Sequence, residues 1–209
     1  MRAYLRERKA VGNRLRKRED LVWYLLLQSF ATMGNSRGWA GLFETPGLLD
    51  EVSFSVLGRC SAATRRPRIE GVLRRARVRM PVQKAKWLAA NFQTIARAGG
   101  VRKVTRDALR LRTKEAKYQF MDKFAGIGPK YARNVWMDIY DRSFRDTIAI
   151  DERIKSITAA LGYSFRSYDD HEAFYQGVAQ AAHLKPWEVD RLLYGFKDYF
   201  LKRIDVRAA

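Results

Sequence analysis

Phe124-Ala125-Gly126-Ile127-Gly128-Pro129-Lys130 is the stretch that decides how this chain is read, together with a lone acid, Asp151, about twenty residues further on. A Gly-x-Gly turn here separates two helical patterns. Pro129 suits the first position of the second helix, because it lacks the N–H that a helix start leaves unpaired anyway. Backbone N–H groups at such a turn can grip a phosphate. Lys130 then falls in the first helical turn, where the helix dipole disfavours its charged form. A phosphate clamp thus lies beside a potential amine nucleophile.

Downstream, Ala132, Val135, Trp136, Ile139 and Tyr140 follow the spacing of one helical face, so Lys130, Arg133, Asn134 and Met137 share a different one. The apolar run Thr147-Ile148-Ala149-Ile150 leads into Asp151, which suits the N-cap of a helix carrying Ile154, Ile157 and Leu161. Pro186 opens the last long helix, with Val189, Leu192, Leu193, Phe196 and Phe200 on its core side and Asp190, Tyr194 and Lys197 on one flank. Upstream, residues 1–18 form a basic, partly helical arm, and Leu21 to Met33 reads as a buried apolar helix. Gly34-Asn35-Ser36-Arg37-Gly38 breaks it. Pro81 opens a helix with Ala85, Leu88, Phe92 and Ile95 on one face, which Gly99-Gly100 ends. A further helix is expected from about Asp107 to Phe124. Strand signals are scarce, so the fold class is all-α.

The chain has 209 residues, enough for one sizeable core or two small lobes. Its net charge of +19 points to a polyanion, most simply nucleic acid. Arg65 to Lys86 alone holds nine basic residues against one acid, Glu70; a merely solvated surface is the plainer explanation for part of this charge. One cysteine, Cys60, excludes an internal disulfide and any four-cysteine metal or iron–sulfur site. His171 and His183 are too few and too far apart for a zinc motif, so no metal site is expected. No signal-peptide core follows the basic N-terminus, and Leu21 to Met33 is too short to span a bilayer. The expectation is a soluble intracellular protein of the cytoplasm or nucleoid, with no membrane partner.

A neutral lysine can attack an electrophilic carbon and form a Schiff base; the plainer alternative for Lys130 is a phosphate contact. Asp151 can serve as a helix cap and nothing more. A rigidly held carboxylate can also stabilise an oxocarbenium-like centre or organise a proton transfer. One residue can do both jobs.

The block Phe124-Ala-Gly-Ile-Gly-Pro-Lys-Tyr-Ala-Arg-Asn134, followed by Ile148-Ala-Ile-Asp151-Glu-Arg-Ile, resembles the helix-hairpin-helix signature of the HhH-GPD DNA glycosylases. That signature is roughly Leu-Pro-Gly-Val-Gly-x-Lys-x-Ala, then Val-Asp-x-His, and lysine at this place marks the bifunctional members. Val82-Gln-Lys-Ala-Lys-Trp-Leu88 and Leu25-Leu-Leu-Gln-Ser-Phe-Ala-Thr32 resemble two further helices of the family more loosely. There are departures. Phe124-Ala125 stands for Leu-Pro, Glu152-Arg153 replaces the residues leading to the histidine, and the iron–sulfur cysteines of endonuclease III are absent. Lys130 and Asp151 are intact, which favours a cluster-free, 8-oxoguanine glycosylase-like branch.

The resemblance implies two helical lobes: residues 21–145 as a barrel ending in the hairpin at about 124–130, and residues 1–20 with 146–209 as the second lobe. It implies Lys130 and Asp151 as catalytic residues. Asn134, Asp190, Tyr194 and Gln28 would read the base, Asp190 by its carboxylate and Tyr194 by stacking. Gly126, Ile127, Gly128, Asn35 and Arg37 would contact DNA. Gln28, Phe30 and Asn35 fall where the family wedges into the duplex. A monovalent cation on hairpin carbonyls is the only cofactor implied. The implied partner is double-stranded DNA with a damaged base, and the implied state a monomer. The implied activity is excision of an oxidised purine, 8-oxoguanine foremost, with strand nicking. The alternatives are a glycosylase for an oxidised pyrimidine, an alkylated purine or a mismatch, a non-catalytic helix-hairpin-helix DNA binder, and, third, an RNA-binding protein.

Overall fold

The computed structural model describes residues 1–34 and 37–208, with side chains up to residue 205. Fourteen α-helices and no strand occur among the described residues: α1 (Arg2–Leu15), α2 (Leu21–Thr32), α3 (Arg37–Phe43), α4 (Leu48–Glu51), α5 (Phe54–Gly58), α6 (Ala62–Arg75), α7 (Pro81–Arg97), α8 (Val101–Arg110), α9 (Lys114–Met121), α10 (Pro129–Asp138), α11 (Glu152–Ala160), α12 (Tyr168–Ala181), α13 (Pro186–Gly195) and α14 (Lys197–Ala208). A 3-10 turn, Arg142–Phe144, lies between α10 and α11. Local chemistry starts many of them. Pro81, Pro129 and Pro186 stand at first helical positions, and the side chains of Ser53, Ser61, Thr113, Asp151 and Ser167 accept from N–H groups of the helices they precede. None of the described helices is long and apolar enough to cross a membrane.

Two expected helices are each two. The stretch expected as one helix from 107 to 124 is the end of α8 and the separate α9, because Leu111 turns extended and Thr113 begins a new helix by capping the Ala116 N–H. The long helix from Pro186 breaks after Gly195, which lies under Tyr4; a Cβ there would sit 2.7 Å from the Tyr4 hydroxyl.

The chain forms two compact units, one of residues 16–131 and one of residues 1–15 with 132–209. The division falls inside α10, at Tyr131/Ala132, and not near residue 145. Residues after 131 are held by the terminal segments. Trp187 donates its Nε1–H to the Met137 carbonyl (2.8 Å) and its backbone N–H to the Arg145 carbonyl (3.1 Å). Gly12 of α1 lies so close to the Asp138 carbonyl that a Cβ would come within 2.9 Å. Arg16–Asp20 goes with the central segment for equally local reasons: Arg18 pairs with Asp20 and lies over Tyr24, and Glu19 pairs with Arg102.

The unit of residues 16–131 is built around α2, whose Leu21, Val22, Trp23, Leu25, Leu26, Leu27, Phe30 and Ala31 are all buried. A helix apolar on so many sides must be surrounded; α3, α7 and α8 pack on it. Trp23 satisfies its indole N–H on the Val52 carbonyl (2.8 Å) and meets Phe54 and Phe92 edge-on. α3 also approaches α6 closely; at Gly41 a Cβ would lie 2.0 Å from the Ala76 carbonyl oxygen, so only glycine fits. In the terminal unit, Ile148, Ile150, Ile154, Ile157, Tyr175, Ala179, Val189 and Leu193 form one core cluster. It draws on α11, α12, α13 and residues 147–150, which belong to no helix.

Candidate functional site

The Gly-x-Gly turn joins α9 to α10, as its composition requires. Gly126 adopts a φ of +81°, a left-handed conformation that glycine takes without strain. Its missing side chain also matters. A Cβ would lie 2.6 Å from the Trp87 ring and 2.9 Å from Phe30, which stack on each other. From behind, Asn91 of α7 braces the turn. Its Nδ2 donates to the Ala125 carbonyl (3.0 Å) and its Oδ1 accepts the Ala125 N–H (2.8 Å). The Asn91 amide thus pairs with a backbone amide as a neighbouring strand would. Among the described residues nothing accepts from the N–H of Gly126 or Gly128, and Gly128 is exposed. Two hairpin carbonyls on which a cation could sit, of Phe124 and Ala125, already accept from Ile127 N–H and Asn91.

Asn91 escapes a reading by motif, although a signal existed: it stands in the core stripe of its helix, three residues after Leu88 and four before Ile95, and is 1 % exposed. Replacing it by alanine leaves the Ala125 N–H and C=O without partners. Asn91→Ala should therefore lower unfolding stability by about 2–3 kcal/mol, measured by urea titration.

Lys130 is the second residue of α10, half-buried, with Nζ 5.4 Å from the centroid of the Tyr131 ring. A second amine in the same unit is differently placed. Lys84 is fully buried, and its Nζ donates to the Met33 carbonyl at the C-terminus of α2 (2.6 Å). Burial, aided by Arg79, lowers its pKa to about 8. Its position closes the end of α2, where a cation complements the helix dipole.

Asp151 caps α11. Its Oδ1 accepts the N–H groups of Arg153 (3.0 Å) and Ile154 (3.1 Å). The residues before it are fixed by side chains from two other helices. Glu172 accepts the Ile148 N–H (2.8 Å), Asp190 accepts the Ala149 N–H (2.8 Å), and the Tyr168 hydroxyl accepts the Ile150 N–H (3.2 Å) while donating to the Ile148 carbonyl (2.8 Å). Burial pushes the Tyr168 phenol up to about 12, so it stays a donor.

Asp190, expected to read a base, lies buried with both carboxylate oxygens facing groups of its own unit. It is 3 % exposed; one oxygen holds Ala149, and the other faces Arg191 at 3.4 Å. Burial raises its pKa to about 6, against the pull of Arg191. Arg191, also buried, pairs with Asp138 (3.1 Å) and donates to Asn134 Oδ1 (3.4 Å). The sequence pattern singles out the flank of α13 but not this arginine, because a charged residue between a flank acid and a core leucine reads as solvent-facing. Tyr194 is 38 % exposed, with the Arg153 guanidinium 4.0 Å above its ring.

Asn134, Asp151, Asp190 and Tyr194 therefore belong to the terminal unit, while Lys130, the hairpin and Gln28 belong to the other. Gln28 is half-buried on α2, Arg37 is the exposed first residue of α3, and Asn35 lies outside the described residues. The basic run divides in two. Arg65 is tied to the Leu57 and Cys60 carbonyls and lies over Phe92; Arg68 holds the Glu51 carbonyl; Arg74 pairs with Glu70 and Arg75 with Glu51. Arg66, Arg77, Arg79 and Lys86 are exposed. Among the described residues, no group of three or more His, Cys, Asp or Glu side chains is arranged to hold a metal. Compared with known proteins, the chain matches no family model, no curated protein and no solved structure.

Proposed function

We propose that the protein is a bifunctional DNA glycosylase of the HhH-GPD type, built of two helical lobes, which removes an oxidised purine and then nicks the strand. The observation that carries this reading is the braced hairpin. The N–H groups of Gly126 and Gly128 meet no acceptor among the described residues, Gly128 is exposed, and Lys130 follows within the first turn of α10. Such a turn holds a phosphate of the strand. Exposed Arg66, Arg77, Arg79 and Lys86 add attraction that does not depend on sequence.

The damaged nucleotide leaves the stack at a cost of a few kcal/mol. Positive charge develops on the sugar as the bond to the base weakens, and the Asp151 carboxylate stabilises it. Lys130 Nζ forms a bond to C1′; the C1′–N bond breaks, and the base departs with that electron pair and gains a proton. Loss of the amine proton and opening of the C1′–O4′ bond give a C1′=N Schiff base. Removal of a C2′ proton then expels the 3′ phosphate by β-elimination. Asn134, Gln28 and Tyr194 are base-reading candidates that do not hold Ala149, Tyr194 by its exposed ring.

Borohydride trapping on single-lesion duplexes tests this. The expected result is a covalent adduct on 8-oxoguanine opposite cytosine. An adduct confined to thymine glycol, alkylated purine or mismatched duplex would retain the chemistry and change the substrate. No adduct on any of them would leave a helix-hairpin-helix DNA binder, and preference for RNA without cleavage would leave an RNA-binding protein.

A further inference from the structure

We propose that Asp190 is a positioning residue for Asp151, fixing the non-helical residues 147–150 through its hydrogen bond to the Ala149 N–H. The inference rests on the reading that the Asp151 carboxylate takes part in chemistry. Three successive amides before Asp151, those of Ile148, Ala149 and Ile150, each donate to a side chain and none to a strand. Four residues outside both helix and sheet would otherwise leave buried amides unpaired, which folded proteins avoid. Of the three acceptors, Asp190 is the innermost, and its partner lies two residues from Asp151. The position of Asp151 is thus set from behind by α13 and α12, independently of the cap bonds it makes forward to α11.

The bond is charge-assisted while Asp190 is ionised. Around it stand Arg191 of α13, Asp138 of α10, Asp151 itself, Tyr4 of α1, Tyr168 of α12 and Tyr194, with Glu172 beyond Ile148. Burial has raised its pKa from 3.8 to about 6. A raised carboxyl means that the folded state binds more protons than the unfolded one between those two values. The contribution of this group to overall stability is therefore largest in acid and falls as pH rises through about 6. Acidification does not weaken the fold through Asp190; it weakens one local bond, to the amide of Ala149.

Asp190→Asn imitates the protonated carboxyl at every pH and preserves its shape. Two readouts on the full chain test the proposal between pH 5 and 8: hydrogen-exchange protection at Ala149, corrected for intrinsic rates, and the rate of borohydride-trapped adduct formation. In the native protein, protection at Ala149 should rise about five- to tenfold through pH 6, and the trapping rate should rise with it. In Asp190→Asn, protection at Ala149 should stay at the low-pH level throughout, and the native-to-variant ratio of trapping rates, which cancels the titration of the attacking amine common to both proteins, should rise from about one at pH 5 to about five to ten at pH 8. A step in Ala149 protection of the same size in the variant, or a native-to-variant rate ratio that does not change with pH, overturns the proposal. If the native protein yields no adduct at any pH, the enzyme reading fails, and the clamp is judged by exchange alone: a step missing from the variant supports it, and a step retained in the variant overturns it.

Discussion

Lys130→Ala should abolish the borohydride adduct outright on every lesion that the native protein traps. The adduct is a reduced C1′–N bond, so removing the amine removes one of the two atoms it joins. The variant folds, because Lys130 sits at the N-terminal end of α10, where a positive charge opposes the helix dipole. Removing that charge is neutral or stabilising by about 0.3–1 kcal/mol. Alanine also has the better helix propensity. The other amine to consider is Lys84, which burial already inclines toward its neutral form. It is fully enclosed and bonded to the Met33 carbonyl, so no deoxyribose reaches it without opening the end of α2. A trapped adduct surviving in Lys130→Ala would therefore assign the chemistry to another lysine. Denaturing gels give the adduct, and duplex binding by anisotropy separates lost chemistry from lost affinity. A lysine that only touched a phosphate would behave differently: the native protein would form no adduct, and the variant would bind about equally weakly to damaged and undamaged DNA.

Helix starts were the legible part of this fold. Pro81, Pro129 and Asp151 carry their meaning locally, in a missing N–H or a capping carboxylate, and α7, α10 and α11 begin where they stand. The break between α8 and α9 is a local event too, but Thr113 competes there with an uninterrupted run of good helix formers. After Gly195 the glycine is a local weak point of the helix, and only the fold shows Tyr4, from the far end of the sequence, packed against it. The candidate site divides in the same way. Lys130, Gly126 and Asp151 are visible because turn, helix start and cap are properties of neighbours. Asn91 and Asp190 act across 34 and 41 positions, and no periodicity encodes such a bond. A carboxylate on the flank of an amphipathic helix reads as a group available to a ligand; only folding shows that Ala149 has claimed it. The unit boundary within α10 was hidden for a related reason, because the helical pattern continues unbroken while the surroundings change.

Asp151→Asn should slow base excision by about 10²–10⁴-fold in single-turnover assays while leaving the fold nearly unchanged. The two jobs of this residue make the substitution informative. As a cap, Asp151 uses one oxygen, Oδ1, for the N–H groups of Arg153 and Ile154. Asparagine offers the same oxygen at the same reach and ranks beside aspartate at this position. What it lacks is charge, which costs the α11 terminus about 0.3–1 kcal/mol of dipole interaction. Chemistry feels the change more strongly, because a neutral amide stabilises an oxocarbenium-like sugar far less than a carboxylate does. Asp151→Ala is the control that removes both functions, with about 0.5–2 kcal/mol of additional loss in stability. If the asparagine variant excises at the native rate, the carboxylate is a cap alone, and the hairpin with Lys130 must do its work without it. If excision falls in proportion to the loss of folded protein, measured by thermal melts of both variants, the defect belongs to α11. An excision defect of a hundredfold or more in a protein that melts within a few degrees of the native one assigns the charge of Asp151 to the reaction.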